Sequence, residues 1–422
     1  MERPFAPANL FAALIVLTTA LAAYRLASTP VELNKGQTDN YWPIANNVLD
    51  GKGYALCYPL YFPFCTEPRP TAMREPVPVL LFAAASAITG RSLKATLLLE
   101  GVAYLATLVL LWRWVRRHHG ERVALIACLG WATSLPVLQT IPQLSGDLIG
   151  ATVFMGAVTA FDRARRNGTW PRWALAGALL GLAALCRSVL LFTVLPWAWY
   201  AWRSATGGSR TTRTRIAAAL VGALAVVLAP WVIRNALVFG RFWPGTSMNG
   251  YNLFRNSYQV FDHQPPHYVG ASEAQVMLDN LLHRHPELRG DEGEAEMDRV
   301  YMAEGKLAVQ ENPLGFAKLV LYRFVPLWTN HGVPEQYGRV VTRFDRAMLV
   351  QQVVVLLLLV LGAFLHRAWA GPWLVTIAVQ VVLYMLVVAQ VRYLLPVLPL
   401  VMTLAALGID WFLPRRALPG RS

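Results

Sequence analysis

Long apolar runs separated by short basic connections make up most of the chain. Ten of them, at roughly 8–27, 95–114, 122–139, 147–163, 172–186, 187–202, 216–234, 346–365, 372–389 and 393–413, approach the about twenty residues that a helix needs to cross about 30 Å of hydrocarbon. Their succession predicts an all-α polytopic membrane protein of about ten transmembrane helices. The runs 172–186 and 187–202 are short, so they are expected to merge or tilt. Two long polar segments interrupt the pattern, 28–94 and 235–345. Inside the first, the apolar stretch Pro76 to Thr89 is too short to span comfortably and is expected to lie along the membrane surface. The amphipathic stretch 40–50 predicts a second interfacial helix beside it. Inside the second, 291–311 has the period of an acidic amphipathic helix, and 313–329 that of a basic, aromatic interfacial one. Three parts follow: an N-terminal membrane module, 1–234, with 28–94 as its first outer loop; an extracytoplasmic segment, 235–345; and C-terminal membrane helices, 346–422.

Composition supports this reading: 55% of residues are hydrophobic and 15% charged, gathered into runs rather than dispersed over a soluble core. A net charge of +14 would suit nucleic acid, but the basic residues sit between spans. Arg113, Arg116, Arg117 and Arg122 bracket one connection, Arg163, Arg165, Arg166 and Arg172 a second, Arg203, Arg210, Arg213 and Arg215 a third, and Arg415, Arg416 and Arg421 close the chain. By the positive-inside rule these loops and both termini are cytoplasmic, which puts 28–94 and 235–345 outside. The run 8–27 carries no convincing cleavage site and is read as an uncleaved first helix. Arg over Lys usage and abundant Ala point to a bacterium of GC-rich genome. No phosphate-binding glycine loop with Lys-Ser/Thr is present, so energy is expected to arrive with the substrate. Cys128 and Cys186 fall in spans, whereas Cys57 and Cys65 share the first outer loop, either as a disulfide or as two buried thiols.

Candidate chemistry gathers at the outer ends of spans. Asp39 stands near the exit of the first span, as a base for an incoming hydroxyl or as a helix N-cap. Asp147 opens a later span on the same face, with the same two readings. Arg392 and Tyr393 begin the last span at headgroup level, where arginine holds phosphate by paired hydrogen bonds or anchors the helix. Arg187 is a further phosphate candidate, and Arg74-Glu75-Pro76 offers a charge pair beside a rigid turn. His331 is placed for contact with a headgroup. His263 and His267, separated by two prolines, and His283 and His285, on different faces, give no metal-ligand pattern.

Taken in order, these stretches resemble the GT-C superfamily of polyprenyl-phosphate-sugar-dependent glycosyltransferases, in the branch of protein O-mannosyltransferases (glycosyltransferase family 39) and lipid A aminoarabinose transferases. The stretches are Asp39 leading into Ile44-Ala45-Asn46-Asn47-Val48-Leu49, then Gly51-Lys52-Gly53-Tyr54, Arg74-Glu75-Pro76, Asp147, Gly181 to Arg187, Pro230 to Asn235 with Phe239-Gly240, and Arg392-Tyr393 with Pro396 and Pro399. Tyr41 follows Asp39 by two residues where relatives commonly space the pair by about four, which leaves Glu32 as an alternative. The resemblance implies transfer of a sugar, usually with inversion, from a polyprenyl phosphate to a hydroxyl on a lipid, glycan or protein. Asp39 and Asp147 would then be catalytic, Arg392, Tyr393, Arg187 and Arg74 would hold the donor phosphate, and Glu75 and His331 would be structural or acceptor-side. It also implies a bacterial inner-membrane enzyme facing outward that needs no organic cofactor, with a divalent metal left open. Two other readings stand beside it. A lipid-linked saccharide flippase would need charged residues along a path through the bilayer, whereas the ionisable residues sit at span ends and the intramembrane exception, Glu100, serves either idea; a non-catalytic subunit of the same fold would tolerate loss of both aspartates.

Overall fold

A computed structural model describes residues 7–30, 39–59, 61–204, 209–261, 265–288, 292–336 and 339–414. Glu32, His263, Arg415, Arg416 and Arg421 lie outside the described residues.

The chain is helical throughout. Helix α1 (Pro7–Ser28) is followed by the two short helices of the first outer loop, α2 (Tyr41–Leu49) and α3 (Pro76–Ile88), close to the interfacial stretches expected there. The next membrane helices are α4 (Leu93–Ala132), α6 (Asp147–Asn167), α7 (Trp170–Ala184), α8 (Val194–Ser204) and α9 (Arg210–Phe239), with the short α5 (Leu135–Thr140) between α4 and α6. The outer segment carries α10 (Asn249–Ser257), α11 (Ala271–Arg284), α12 (Glu294–Glu311), α13 (Pro313–Tyr322), α14 (Phe324–Thr329) and α15 (Val333–Gln336). Helices α16 (Arg343–Leu365), α17 (Arg367–Val387) and α18 (Leu398–Phe412) end the described chain. A two-stranded antiparallel hairpin, β1 (Ala55–Leu56) with β2 (Arg69–Pro70), pairs Ala55 with Pro70. Within it Cys57 and Cys65 form a disulfide with Cα atoms 5.6 Å apart.

Among the described residues five helices, α1, α4, α9, α16 and α17, are long and apolar enough to cross a membrane unaided. Helix α4 holds two of the expected spans, broken at Gly120 by a backbone turn with φ 84° that a β-carbon would oppose. The expected span 122–139 ends early, at Ala132, because Thr133 and Ser134 leave the helix and Pro136 sits in the first turn of α5. The expected span 187–202 opens as a 3-10 turn, Ser188–Thr193, before α8. The expected helix 313–329 is split into α13 and α14.

In the bundle α4 packs against α1, α6 and α18; α7 lies between α6 and α9; and α16 lies on α18. Large apolar side chains such as Val226, Leu357, Val360 and Phe364 point outward on these helices, as lipid-facing positions require. Lipid is as apolar as leucine, so close backbone approach does the holding, through small residues. A Cβ at Gly177 would run into the Leu220 carbonyl of α9, and one at Gly362 into the Leu404 carbonyl of α18. Gly362→Ala is therefore expected to destabilise the protein by about 1–3 kcal/mol, since neither backbone is free to give way. Gly222→Ala, where a Cβ meets nothing within 4 Å, is the control expected to leave the thermal midpoint in detergent little changed. Equal midpoints for the two variants would contradict this account.

Candidate active site

The site is assembled where four span ends and the first outer loop converge. Residues Asp39 and Asn40 both take left-handed backbone, at φ 43° and 66°, and turn the chain into α2. Asn40 occupies the cap position of α2, so the Asp39 carboxylate is not spent on a helix end. Instead Arg74 donates to Asp39 twice, from Nε to the backbone carbonyl at 2.6 Å and from Nη2 to Oδ1 at 2.8 Å. The second carboxylate oxygen, Oδ2, accepts from Arg392 Nη2 at 3.3 Å.

Asp147 begins α6 directly after Gly146, whose φ of 69° and contact with the Pro78 ring of α3 leave no place for a side chain. The Gly146 N–H donates to Glu100 Oε1 at 2.9 Å. Glu100, an intramembrane carboxylate with no visible path of charges around it in sequence, thus pins the turn that places Asp147. The Asp147 side chain is fully buried, with Arg187 Nε 3.1 Å from Oδ1 and Arg392 Nη1 3.8 Å from Oδ2. Arg392 therefore stands between the two carboxylates and also donates from Nε to Gln390 Oε1 at 2.9 Å. Both Arg392 and Arg187 lie over the Tyr393 ring, at 5.3 and 5.0 Å from its centroid, and Tyr393 is stacked on Tyr384.

The structure brings together six of the sequence candidates, Asp39, Asp147, Arg74, Arg187, Arg392 and Tyr393. Glu75 plays another part from its charged neighbour. Its carboxylate is buried, accepting from the Tyr41 hydroxyl at 2.8 Å and from the Ser188 N–H and hydroxyl at 2.9 and 3.0 Å. It fastens the first outer loop to the 3-10 turn beside Arg187. His331 sits exposed on the turn after α14 and does not line the cavity.

Burial alone would raise the Asp39 carboxyl, but Arg74, Arg392 and Arg187 outweigh it and hold the group below the usual carboxylate range. The ion pair with Asp39 raises Arg74 against the opposing effect of burial. Asp39 is thus ionised at neutral pH, and it is 21% exposed, toward a cavity of about 490 Å³. Asp39, Arg74, Glu75, Arg187, Arg255 and Arg392 supply the charged part of the lining, while Leu191, Phe192, Leu383 and Val387 supply an apolar part. That volume and mixture suit a small polar head joined to an apolar tail. Among the described residues no group of His, Cys, Asp and Glu stands where it would hold a metal ion.

Two residues given no role in sequence fasten this loop, Glu294 to the outer segment and Arg234 to the end of α9. Glu294, buried at the start of α12, accepts from the Ala72 N–H at 2.7 Å and from the Ser247 hydroxyl. Arg234 donates to the Thr71 and Tyr54 carbonyls at 2.8 and 3.2 Å. Asp298, on α12, accepts from the Gly250 N–H at 2.7 Å and so fixes the first turn of α10. Burial raises the Asp298 carboxyl from 3.8 to about 6, with the Gly250 N–H opposing. A folded-state value above the unfolded one means that its stabilising contribution is complete below about pH 4 and is lost as pH rises through about 6. Asp298→Asn keeps an acceptor for Gly250 but cannot ionise. Its thermal midpoint relative to wild type is expected to rise between pH 5 and pH 7.5, and a difference independent of pH would contradict this.

Residues 69–233 match the profile of the family described as dolichyl-phosphate-mannose-protein mannosyltransferase. No curated protein matches the chain in sequence. Among solved structures, the oligosaccharyltransferase of Archaeoglobus fulgidus in its apo form is similar with a TM-score of 0.56 and 13% identity, over 97% of this chain and 51% of that one. The oligosaccharyltransferase AglB from the same organism, in complex with an inhibitory peptide and a dolichol-phosphate, gives 0.52 and 12%, over 94% and 50%. ArnT from Cupriavidus metallidurans bound to undecaprenyl phosphate is 14% identical over 95% of this chain and 76% of its own, with a TM-score of 0.39. The chain spans about half the length of the oligosaccharyltransferases it matches. It has the GT-C fold, as the order of its sequence stretches implied.

Proposed function

We propose that the protein is an inverting glycosyltransferase that moves a sugar from a polyprenyl phosphate to a hydroxyl acceptor. The observation that carries this reading is the pair of carboxylates, Asp39 and Asp147, linked by Arg392 at a cavity whose lining is ionic on one part and apolar on another. In the reaction Asp39 takes the proton of the acceptor hydroxyl as its oxygen bonds the anomeric carbon. The bond from that carbon to the phosphate oxygen breaks, and its electron pair leaves with the phosphate. Negative charge thus grows on the phosphate, where Arg392, Arg74 and Arg187 are already positioned to receive it without reorganisation. Asp147, buried against Arg187, orients that cation and Arg392. The apolar lining from the 3-10 turn and α17 suits the proximal part of an isoprenoid tail, and the helices of the first outer loop shield the reacting atoms from water.

The face of action is inferred from α6, which begins at the site with Asp147 and ends in Arg165 and Arg166 among the basic connections. Placed so, the site faces outward from a bacterial inner membrane, and lipid, glycan or protein hydroxyls on that side are the acceptors. The test uses the purified protein in nanodiscs with radiolabelled undecaprenyl-phosphate sugars, read as transfer to added acceptors and as release of free sugar to water. Label leaving the lipid with inverted anomeric configuration supports the proposal. Movement of intact lipid-linked sugar across proteoliposomes with no loss of label from the lipid would replace it with a carrier.

A further inference from the structure

Helix α10 presents two unlike faces. On one, Tyr251, Phe254 and Ser257 are buried. A Cβ at Gly250 would strike the backbone of Asp298, and one at Gly305 of α12 would strike the backbone of Phe254, so the two helices touch backbone to backbone. That contact and the Asp298 carboxylate leave α10 little freedom to rotate. On the other face Asn249, Asn252 and Asn256, spaced at three and four residues, all line the active-site cavity. Two of these carboxamides are engaged within the segment: Asn256 Nδ2 donates to the Asn252 carbonyl at 2.9 Å, and Asn249 Nδ2 to the Thr246 carbonyl at 3.4 Å. The carboxamide of Asn252, half-buried, makes no hydrogen bond among the described residues. Tyr61, from the disulfide loop, lines the same cavity. Its ring is set edge-on against Tyr251 at 4.3 Å, and its hydroxyl is likewise unpaired among the described residues. Arg255 also borders the cavity, but its guanidinium donates to the Val269 carbonyl at 2.7 Å.

A carboxamide and a phenol each donate and accept, which matches the hydroxyls of a sugar ring, themselves both donors and acceptors. The charged groups of the cavity are already engaged: Asp39 with Arg74 and Arg392, Arg187 with Asp147, Glu75 with Tyr41 and Ser188, and Arg255 with the Val269 carbonyl. We propose that Asn252 and Tyr61 form a saccharide-reading wall, bonding the hydroxyls of an uncharged sugar ring, and that Asn252 sets which sugar the protein accepts. This rests on the glycosyltransferase reading above and adds to it the residues of specificity. The ring belongs either to the lipid-linked donor or to a saccharide acceptor, and the two have separate tests.

In the donor arm, affinities of the full chain in nanodiscs are measured for bare undecaprenyl phosphate and for its glucose, mannose and arabinose derivatives. Wild type is expected to favour at least one derivative over the bare lipid by about tenfold, and Asn252→Ala to lose that preference while binding the bare lipid unchanged. Asn252→Asp is expected to shift preference toward an aminoarabinose derivative by a similar factor. In the acceptor arm, free oligosaccharides are titrated into protein saturated with bare lipid, and an Asn252-dependent loss of binding assigns the wall to the acceptor. Asn252→Gln, which keeps the amide, separates lost chemistry from lost fold by partial rescue. Wild-type selectivity that survives Asn252→Ala in both arms overturns this inference alone. Wild type that binds neither the bare lipid nor any derivative overturns the glycosyltransferase reading together with it.

Discussion

Asp39→Asn is expected to lower sugar release and transfer by about a thousandfold or more, the scale of losing a positioned base. The amide is nearly isosteric and still accepts from Arg74, so the turn at residues 39 and 40 should persist. What disappears is the ability to take a proton. The effect on donor binding should run in the opposite direction. Arg74 and Arg392 each lose their anionic partner at Asp39, and both keep a full positive charge at the cavity. Affinity for bare undecaprenyl phosphate should therefore hold or rise, a result that a merely misfolded variant would not give. Single-turnover release of labelled sugar, together with binding of the bare lipid, checks both halves. Activity equal to wild type would remove Asp39 from the mechanism. Asp147→Asn is the weaker test, because its side chain is fully buried and its loss leaves Arg187 buried without a countercharge. Loss of activity there would mix catalysis with stability.

Much of this site was legible in the chain because its charged residues stand out against apolar surroundings. Asp147, Arg187 and Arg392 each end or begin a hydrophobic run, where the price of charge near lipid makes such residues conspicuous, and Asp39 stands just before the amphipathic stretch of the first outer loop. Their pairing was not legible. The contacts Asp39 to Arg392 and Asp147 to Arg187 join residues far apart in sequence, and hydrophobic periodicity carries no information about which span ends meet. Arg74 and Glu75 show the limit sharply. As neighbours they read as one charge pair, yet the structure sends Arg74 to Asp39 and Glu75 to Tyr41 and Ser188. The span boundaries failed where local chemistry overrode apolar content, as at Thr133, Ser134 and Pro136. The outer segment was the least readable part, since α10 is short and polar and owes its place to Gly250, Gly305 and Asp298. Its asparagine spacing was the available signal. Sequence pattern assigned this segment a period; packing gives α10 a wall of the cavity.

Arg392→Gln is expected to cost about a hundredfold to a thousandfold in transfer, and the pH profile will show why. Arg392 has two separable effects. It helps to keep Asp39 ionised, and it offers charge to the leaving phosphate. Asp39 in wild type lies below its ordinary value of 3.8, so its stabilising ion pairs are present above the unfolded value and vanish only as pH falls through the lower folded one. The acid limb of activity set by Asp39 should accordingly lie below about pH 4. Without Arg392, Arg74 still pairs with Asp39 at 2.8 Å, but burial is opposed by one cation fewer. Proton affinity then rises, and the limb should move upward. Arg392→Lys restores the charge but not the planar fork that reaches Asp39, Asp147 and Gln390 together. It should return the limb most of the way toward wild type while recovering only part of the rate. A lowered rate in Arg392→Gln with an unmoved limb would confine the residue to the phosphate, and an unchanged rate would deny it both roles. The split between the two variants thus separates charge from shape at a side chain that touches both carboxylates.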